Sequence, residues 1–117
     1  MLSNDQLIAL EQHYFKERYV PRMIGYLRDE GVEEADNRLG LHLAKLHDGL
    51  ARIRIHSPRN TFRFYRFDFR KPEMSQVDSR YFYRVIFNTS IDETARFDVL
   101  EKNILGENNS ERWRDLE

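Results

Sequence analysis

Arginine and aromatic side chains are interleaved between residues 51 and 87. This piece contains nine basic and three acidic side chains, and eight of the nine basic ones are arginines. It also holds nine of the fifteen aromatic residues. Because arginine makes forked hydrogen bonds to phosphate and aromatic rings stack on bases, this composition indicates contact with RNA. The candidate residues for binding nucleic acid or a partner are Arg52, Arg54, Arg63, Tyr65, Tyr83 and Arg84.

Two other interpretations fit the same composition. An antiparallel sheet with one buried face can carry arginine on its solvated face. Arginine and tyrosine are also enriched in protein interfaces. The middle piece has a net charge of +6, whereas residues 1–50 carry −3 and residues 88–117 carry −4. The acidic flanks can therefore bind a basic partner, or fold back and neutralise arginines such as Arg80 and Arg84.

Few other residues have the types and spacing that chemistry requires. The chain has no cysteine, which excludes disulfides, thiolate metal sites and cysteine nucleophiles. His42 and His47 are five residues apart, so they do not share a helix face as metal ligands at i and i+4 would. Neither a nucleophile elbow nor a glycine-rich phosphate loop is present. We expect no metal and no cofactor, and no residue is assigned a catalytic role.

The amino-terminal half is predicted to be helical. Ser3 and Gln6 match the capping box, so a first helix is expected to begin near Asn4. Pro21 interrupts that helix or starts a second one over residues 22–29, which Gly31 would end. Leucines at positions 39, 43, 46 and 50 then recur at helical spacing, which predicts a third helix with a buried face.

Three strands are predicted after Leu50. Residues 51–56 alternate between small or apolar and basic side chains, which is the period of a half-buried strand. Residues 61–69 and 80–89 are rich in aromatic residues, and short loops between such segments favour an antiparallel meander. Residues 91–105 are predicted to form a helix from the Ser90 and Glu93 capping box to Gly106, with a short strand over 97–100 as the alternative.

These elements predict an α+β fold, with amino-terminal helices packed on a three- to four-stranded antiparallel sheet and a carboxyl-terminal helix. Residues 1–106 would form a single domain and residues 107–117 a polar tail in which Trp113 is the one apparent anchor. The residues expected in the core are Leu7, Leu43, Leu46, Ile53, Ile55, Val85 and Phe87.

Residues 43–69, LAKLHDGLARIRIHSPRNTFRFYRFDF, resemble the middle of RelE/HigB-type toxins, which are ribosome-associated messenger-RNA endoribonucleases. The family passes from a leucine-rich helix through a turn into two strands. The residues that match this pattern are Lys45, Leu46, Gly49, Leu50, Arg54 and Ile55. The resemblance implies that Arg63, or Arg84 in the alternative alignment, contacts phosphate and that cleavage needs no metal.

Two functions are therefore expected. The first is an RNA-contacting protein, in its strongest form a metal-independent endoribonuclease toxin that uses an arginine-rich sheet face and binds RNA or the ribosome. The alternative is a small non-enzymatic inhibitor, immunity protein, phage antagonist or secretion adaptor with one specific protein partner. The chain lacks cysteine and any apolar run of about 20 residues, so we expect a cytoplasmic protein without a membrane segment.

Overall fold

The computed structural model describes residues 2–70, 73–105 and 113–117. Its main elements are six α-helices: α1 (Asn4–Arg18), α2 (Val20–Asp29), α3 (Asp36–Leu50), α4 (Pro58–Arg70), α5 (Gln76–Ile86) and α6 (Glu93–Leu100). Shorter helical turns lie at Ala51–Ile53, Glu101–Leu105 and Arg114–Leu116. No helix in the described ranges is long and apolar enough to cross a lipid bilayer.

The three helices predicted for the amino-terminal half are present, and the second begins at Val20 rather than at residue 22. The Ser3 hydroxyl accepts a hydrogen bond from the Gln6 amide at 3.1 Å, and the Gln6 side chain accepts one from the Ser3 amide at 2.8 Å. Gly31 has a φ of +88°, the left-handed conformation that ends α2. Leu39, Leu43 and Leu50 are buried along one face of α3.

The predicted α+β fold is wrong, because the described residues contain no strand. Residues 51–53 form a helical turn, and the second and third predicted strands lie in α4 and α5. The aromatic residues of α4 misled the prediction because they point to two separate cores. Phe62 and Tyr65 pack with α1, α2 and α3, whereas Phe67 packs with α5 and α6. A helix between two cores carries apolar residues on opposite sides, which imitates a strand buried on both faces.

The starts of α4 and α5 carry signals that the strand prediction overlooked. Ser57 precedes Pro58, and the Ser57 hydroxyl accepts a hydrogen bond from the Asn60 amide at 3.4 Å. Proline is favoured at the first helical position, since its missing N–H would have no partner there. Ser75 caps α5 by accepting from the Asp78 amide at 3.1 Å.

The predicted core is partly confirmed. Leu43 and Ile55 are fully buried, and the side chains at positions 46, 53 and 85 are half-buried. Leu7 and Phe87 were wrongly placed in the core, since they are 46% and 58% exposed. Leu7 lies in the first half of α1, where every residue from Leu2 to Glu11 is exposed.

Helix α6 fastens the corner between α3 and α4 with two charged side chains. The Glu93 carboxylate accepts the amides of His56 and Ser57 at 3.0 and 2.9 Å. The buried Arg96 guanidinium donates to the carbonyls of Ile53, Arg54 and Ile86 at 2.7 to 3.1 Å. The helix predicted over residues 91–105 is thus present, with Asp92 rather than Ser90 as its cap; Gly106 lies outside the described residues.

The last five residues pack against the core instead of forming the loose tail that was expected. Trp113 is 1% exposed, its ring meets Phe62 edge-on at 5.0 Å, and the Arg66 guanidinium covers it at 4.5 Å. Leu116 is also fully buried. Nearby, Arg59 donates to the Glu117 carboxylate at 2.6 Å. The remainder of the predicted tail lies outside the described residues.

Candidate functional site

The structure separates the six residues predicted to bind RNA or a partner. Arg63 and Tyr65 are buried, at 1% and 5% exposure, whereas Arg52, Arg54 and Arg84 are exposed. Tyr83 is half-buried, with its ring stacked on Phe87 at 6.0 Å. The predicted arginine-rich sheet face therefore does not exist among the described residues.

Arg63 is an internal ion-pair residue of α4. Its Nε donates to Glu101 at 2.9 Å, and its Nη2 donates to Asp98 at 2.8 Å. Its Nη1 donates to Asn60 at 3.1 Å, and the guanidinium lies 5.3 Å from the centre of the Phe97 ring. The acidic carboxyl-terminal segment was expected to neutralise Arg80 and Arg84, but these two carboxylates bind Arg63. Because each of its three nitrogens already donates within the protein and its side chain is 1% exposed, Arg63 does not face solvent where a phosphate could bind.

Tyr65 belongs to the core between α3 and α4. Its ring meets His42 edge-on at 5.1 Å and stacks on Phe69 at 6.5 Å. Burial raises the pKa of the Tyr65 hydroxyl. Because its face is already covered, this ring is not a stacking platform for a base.

The buried Arg96 joins the backbone of the turn after α3 to the end of α5. Arg52 and Arg54 flank the end of the turn after α3, and Arg54 has a left-handed φ of +61°. Arg96 binds the Arg54 carbonyl and the Ile86 carbonyl with the same guanidinium. The turn therefore lies beside the carboxyl-terminal end of α5, where Arg84 is exposed.

A groove that the sequence analysis did not predict lies between α1 and the corner that joins α3 to α4. Its volume is about 530 Å³, within the range of ligand pockets. Helix α1 forms one wall with Ile8, Glu11 and Phe15, and the opposite wall comes from residues 47–58. The complete lining is Ile8, Glu11, Gln12, Tyr14, Phe15, Tyr19, His47, Asp48, Ala51, His56 and Pro58.

Two contacts across the groove hold α1 against α3. The Phe15 ring is buried and lies parallel to the His47 ring, with 4.0 Å between their centres. The Gln12 side chain donates to the Asp48 carboxylate at 3.2 Å. These contacts involve the middle of α1, and every residue from Leu2 to Glu11 is exposed. The first turns of α1 thus form one side of an open groove.

The His47 ring contacts the first turn of α4 through the Thr61 hydroxyl. Its Nδ1 lies 3.0 Å from the Thr61 hydroxyl, and that hydroxyl donates its proton to the Ser57 carbonyl at 3.1 Å. Burial lowers the pKa of His47, and the nearby His56 lowers it further.

The arrangement around His47 favours binding over nucleophilic catalysis. An activated hydroxyl donates its proton to the histidine that acts as a base. The Thr61 hydroxyl near His47 is fully buried, with 0% of the residue exposed, so a substrate in the groove does not reach it. Among the described residues, no group of three histidine, aspartate or glutamate side chains could hold a metal ion.

The sequence contains a signal for the groove, although it is a weak one. His47 lies beside the Leu39, Leu43 and Leu50 stripe of α3, where a polar residue at the edge of an apolar face indicates a half-buried position. Ile8 directly follows Leu7, which was the one residue of α1 expected in the core. Comparisons of the chain with protein-family models, with curated proteins and with solved structures found no match. The resemblance of residues 43–69 to RelE/HigB-type toxins stays a prediction, although these residues, all of which the structure describes, contain none of the strands that it implies.

Proposed function

We propose that the protein is a small non-enzymatic protein-binding domain, which uses the α1 groove to hold an apolar, positively charged segment of one specific partner. The observation that carries this proposal is the groove itself, which is open, partly apolar and acidic. Inhibitors, immunity proteins, phage antagonists and adaptors all act by such binding. The compartment we propose is the cytoplasm.

The apolar part of the groove can hold one or more side chains of a partner. Ile8 is 48% exposed and lines the groove on the α1 side, together with Phe15. Ala51 and Pro58 line the opposite side. Covering apolar surface of this kind stabilises a complex by about 25 cal/mol per Å² removed from water, before the costs of association are subtracted. The partner segment should therefore carry at least one large apolar side chain.

The charge of the groove selects the remainder of the partner segment. Glu11 and Asp48 are the acidic residues of the lining, which contains neither lysine nor arginine. The lowered pKa of His47 keeps its ring neutral at pH 7, so it does not offset the two carboxylates. A lysine or arginine beside the apolar anchor would be attracted to this rim, whereas an acidic segment would be repelled.

The test uses a fluorescein-labelled amphipathic peptide of leucine and lysine, about 15 residues long, followed by fluorescence anisotropy. Ala51→Trp fills the groove from an exposed position, and it should weaken binding at least tenfold. The matched control is Ala9→Trp, because Ala9 is exposed on α1 and does not line the groove. Equal affinity of the two variants, or no binding of the peptide to the wild-type protein, would overturn the proposal.

RNA binding is the second candidate function, and the exposure of Arg52, Arg54 and Arg84 supports it. Without Arg63, three of the predicted arginines are exposed for phosphate contacts. Three contacts to a single strand predict a slope of about −2 in a plot of log affinity against log salt concentration. Arg54→Ala should reduce that slope by roughly 0.7, whereas Ala51→Trp should leave RNA affinity unchanged. A uridine 20-mer that does not bind the wild-type protein at low salt would remove this candidate.

A further inference from the structure

The WRDLE segment, residues 113–117, lies in a cleft between α2 and α4. The walls of this arginine cleft are formed by Arg22, Tyr26, Arg59, Phe62 and Arg66. Trp113 and Leu116 fill its apolar part, where both are buried. Asp115 and Glu117 lie at its rim, where their side chains stay 44% and 58% exposed. The cleft therefore binds large apolar and acidic side chains side by side.

The rim of the arginine cleft binds the two acidic side chains of the segment. The Arg22 guanidinium donates to the Asp115 carbonyl at 2.9 Å, and the Tyr26 hydroxyl donates to the Asp115 carboxylate. Arg59 donates to the Glu117 carboxylate at 2.6 Å. Hydrogen bonds between arginine and a carboxylate are strong because both groups are charged. A segment with acids at these two positions thus matches the charge of the cleft.

The apolar part of the cleft holds Trp113 without satisfying its hydrogen-bond donor. Arg66 covers the indole, and the indole N–H is buried with no acceptor among the described residues. A buried donor without an acceptor lowers the affinity of a ligand. The WRDLE segment therefore binds the cleft less tightly than its contacts would otherwise allow, which leaves room for a competing ligand.

The WRDLE segment is built as a short ligand with its own turn. The Leu116 amide donates to the Trp113 carbonyl at 3.0 Å, and the Glu117 amide donates to the Arg114 carbonyl at 3.2 Å. The segment contacts the walls of the cleft through its side chains and the Asp115 carbonyl. A separate peptide with the same side chains at the same spacing can therefore make the same contacts in trans.

We propose that the arginine cleft is a binding site for an acidic segment of a partner protein, and that the WRDLE segment occupies this site in cis. The partner segment carries a large aromatic residue, an aspartate two positions later and a leucine directly after the aspartate. Arginine, tyrosine and tryptophan contribute most to binding at protein interfaces, and all three meet in this cleft. Its occupant is opposite in charge to the one proposed for the α1 groove, so the two sites select different segments.

The WRDLE segment competes with the partner as a tethered ligand. A short linker gives such a ligand an effective concentration of about 1 mM. A free peptide that binds the empty cleft with a Kd of about 10–100 µM should therefore bind the wild-type protein roughly 10- to 100-fold more weakly. Loosening the segment should remove this penalty.

The first experiment measures the anisotropy of a fluorescein-labelled peptide with the sequence of residues 109–117. Asp115→Arg places a cation beside Arg22 and loosens the segment, so this full-length variant should bind the peptide at least tenfold more tightly than the wild-type protein. Asp5→Arg is the matched control, since it makes the same charge change at an exposed position of α1. A scrambled peptide of the same composition should bind at least tenfold more weakly. Equal affinity of the two variants, or equal binding of the scrambled peptide, would overturn the proposal.

The second experiment locates the unlabelled peptide on the Trp113→Ala chain, where the peptide carries the only tryptophan. Its emission should shift to the blue when the indole enters the cleft. Adding Arg22→Gln should weaken peptide binding about tenfold, whereas Arg38→Gln, at an exposed position of α3, should leave the affinity unchanged. An emission that does not shift, or equal effects of the two arginine changes, would refute the assignment of the site.

If the Trp113→Ala chain is unfolded, the peptide should restore its helical circular dichroism, because a ligand of the folded state stabilises that state. An unfolded chain that the peptide does not restore would contradict the proposal. Neither experiment depends on the basic peptide used for the α1 groove, so the two proposals can fail separately.

Discussion

Replacing Arg63 with alanine tests whether this residue stabilises the fold or serves as a binding group. In the folded protein it is 1% exposed and pairs with Glu101, whose side chain is 7% exposed. The alanine variant leaves the Glu101 carboxylate buried without its cation, a change that costs about 3–5 kcal/mol. Asp98 adds little, because its side chain is 59% exposed and solvent screens the pair.

The expected cost converts into a large change in melting temperature. Unfolding entropy is about 2.1 cal/mol/K per residue, which gives about 0.25 kcal/mol/K for 117 residues. A loss of 3–5 kcal/mol therefore lowers Tm by about 12–20 °C. Thermal unfolding followed by circular dichroism measures the shift, with Arg84→Ala as the exposed control that should change stability by less than about 0.5 kcal/mol.

A companion double variant keeps the test informative if Arg63→Ala fails to fold. Replacing both members of the pair, as Arg63→Met with Glu101→Leu, removes both buried charges and should recover most of the lost stability. A Tm within about 4 °C of wild type for Arg63→Ala would refute this reasoning. Arg63 would then be available to bind a ligand, as the sequence pattern alone suggested.

Three further predictions follow from buried and exposed side chains. Burial lowers the pKa of His47 in the folded protein below 6.5, so the unfolded chain binds more protons than the folded protein as the pH falls through 6.5. The free energy of unfolding of the wild-type protein should therefore be smaller at pH 5.5 than at pH 7.5. Urea unfolding at these two pH values should show a smaller decrease for His47→Gln than for the wild-type protein. Equal decreases would contradict this. Trp113→Ala should cost about 3–5 kcal/mol, and the fluorescence of this single tryptophan should shift to the red on unfolding of the wild-type protein. A solvent-exposed emission maximum in the native state would contradict its burial. Phe87→Asp should change the free energy of unfolding by less than about 0.5 kcal/mol, measured by chemical denaturation. A loss of several kcal/mol would show instead that Phe87 lies in a core.

Local sequence signals predicted the parts of the fold that depend on local interactions. The Ser3 and Gln6 side chains bind backbone groups within one turn, so their spacing alone predicts the start of α1. The leucines of α3 face a single core, and their spacing alone predicts a helix. In both cases the interaction that decides the structure lies within the element itself.

The remainder of the fold depends on contacts between distant residues, which a pattern within one segment does not contain. The alternating arginines and aromatics of α4 gave a false strand because Arg63 points toward Glu101, 38 residues away. The groove was missed for the same reason, since α1 and the corner after α3 are brought together only by folding. Arg63 and Tyr65 were predicted to be site residues, but both are buried. Residue type alone does not show whether an arginine or a tyrosine is buried or exposed.

The hydrogen bonds of Glu93 and Arg96 have a consequence for the order in which the protein can fold during synthesis. Helices α1 to α3 are complete once about fifty residues have left the ribosome, and their contacts are mutual. The α6 side chains that bind the corner after α3 are synthesised about forty residues later than the corner itself. They bind the backbone amides of His56 and Ser57 and the carbonyls of Ile53 and Arg54. Until α6 emerges, water solvates this corner, and the Glu93 carboxylate is not yet present to accept the amides of His56 and Ser57 before α4. A nascent chain that pauses before residue 93 would thus leave the side of α4 that carries Phe67 without Phe97 and Leu100 to cover it, which makes this interval the one most open to chaperones or aggregation.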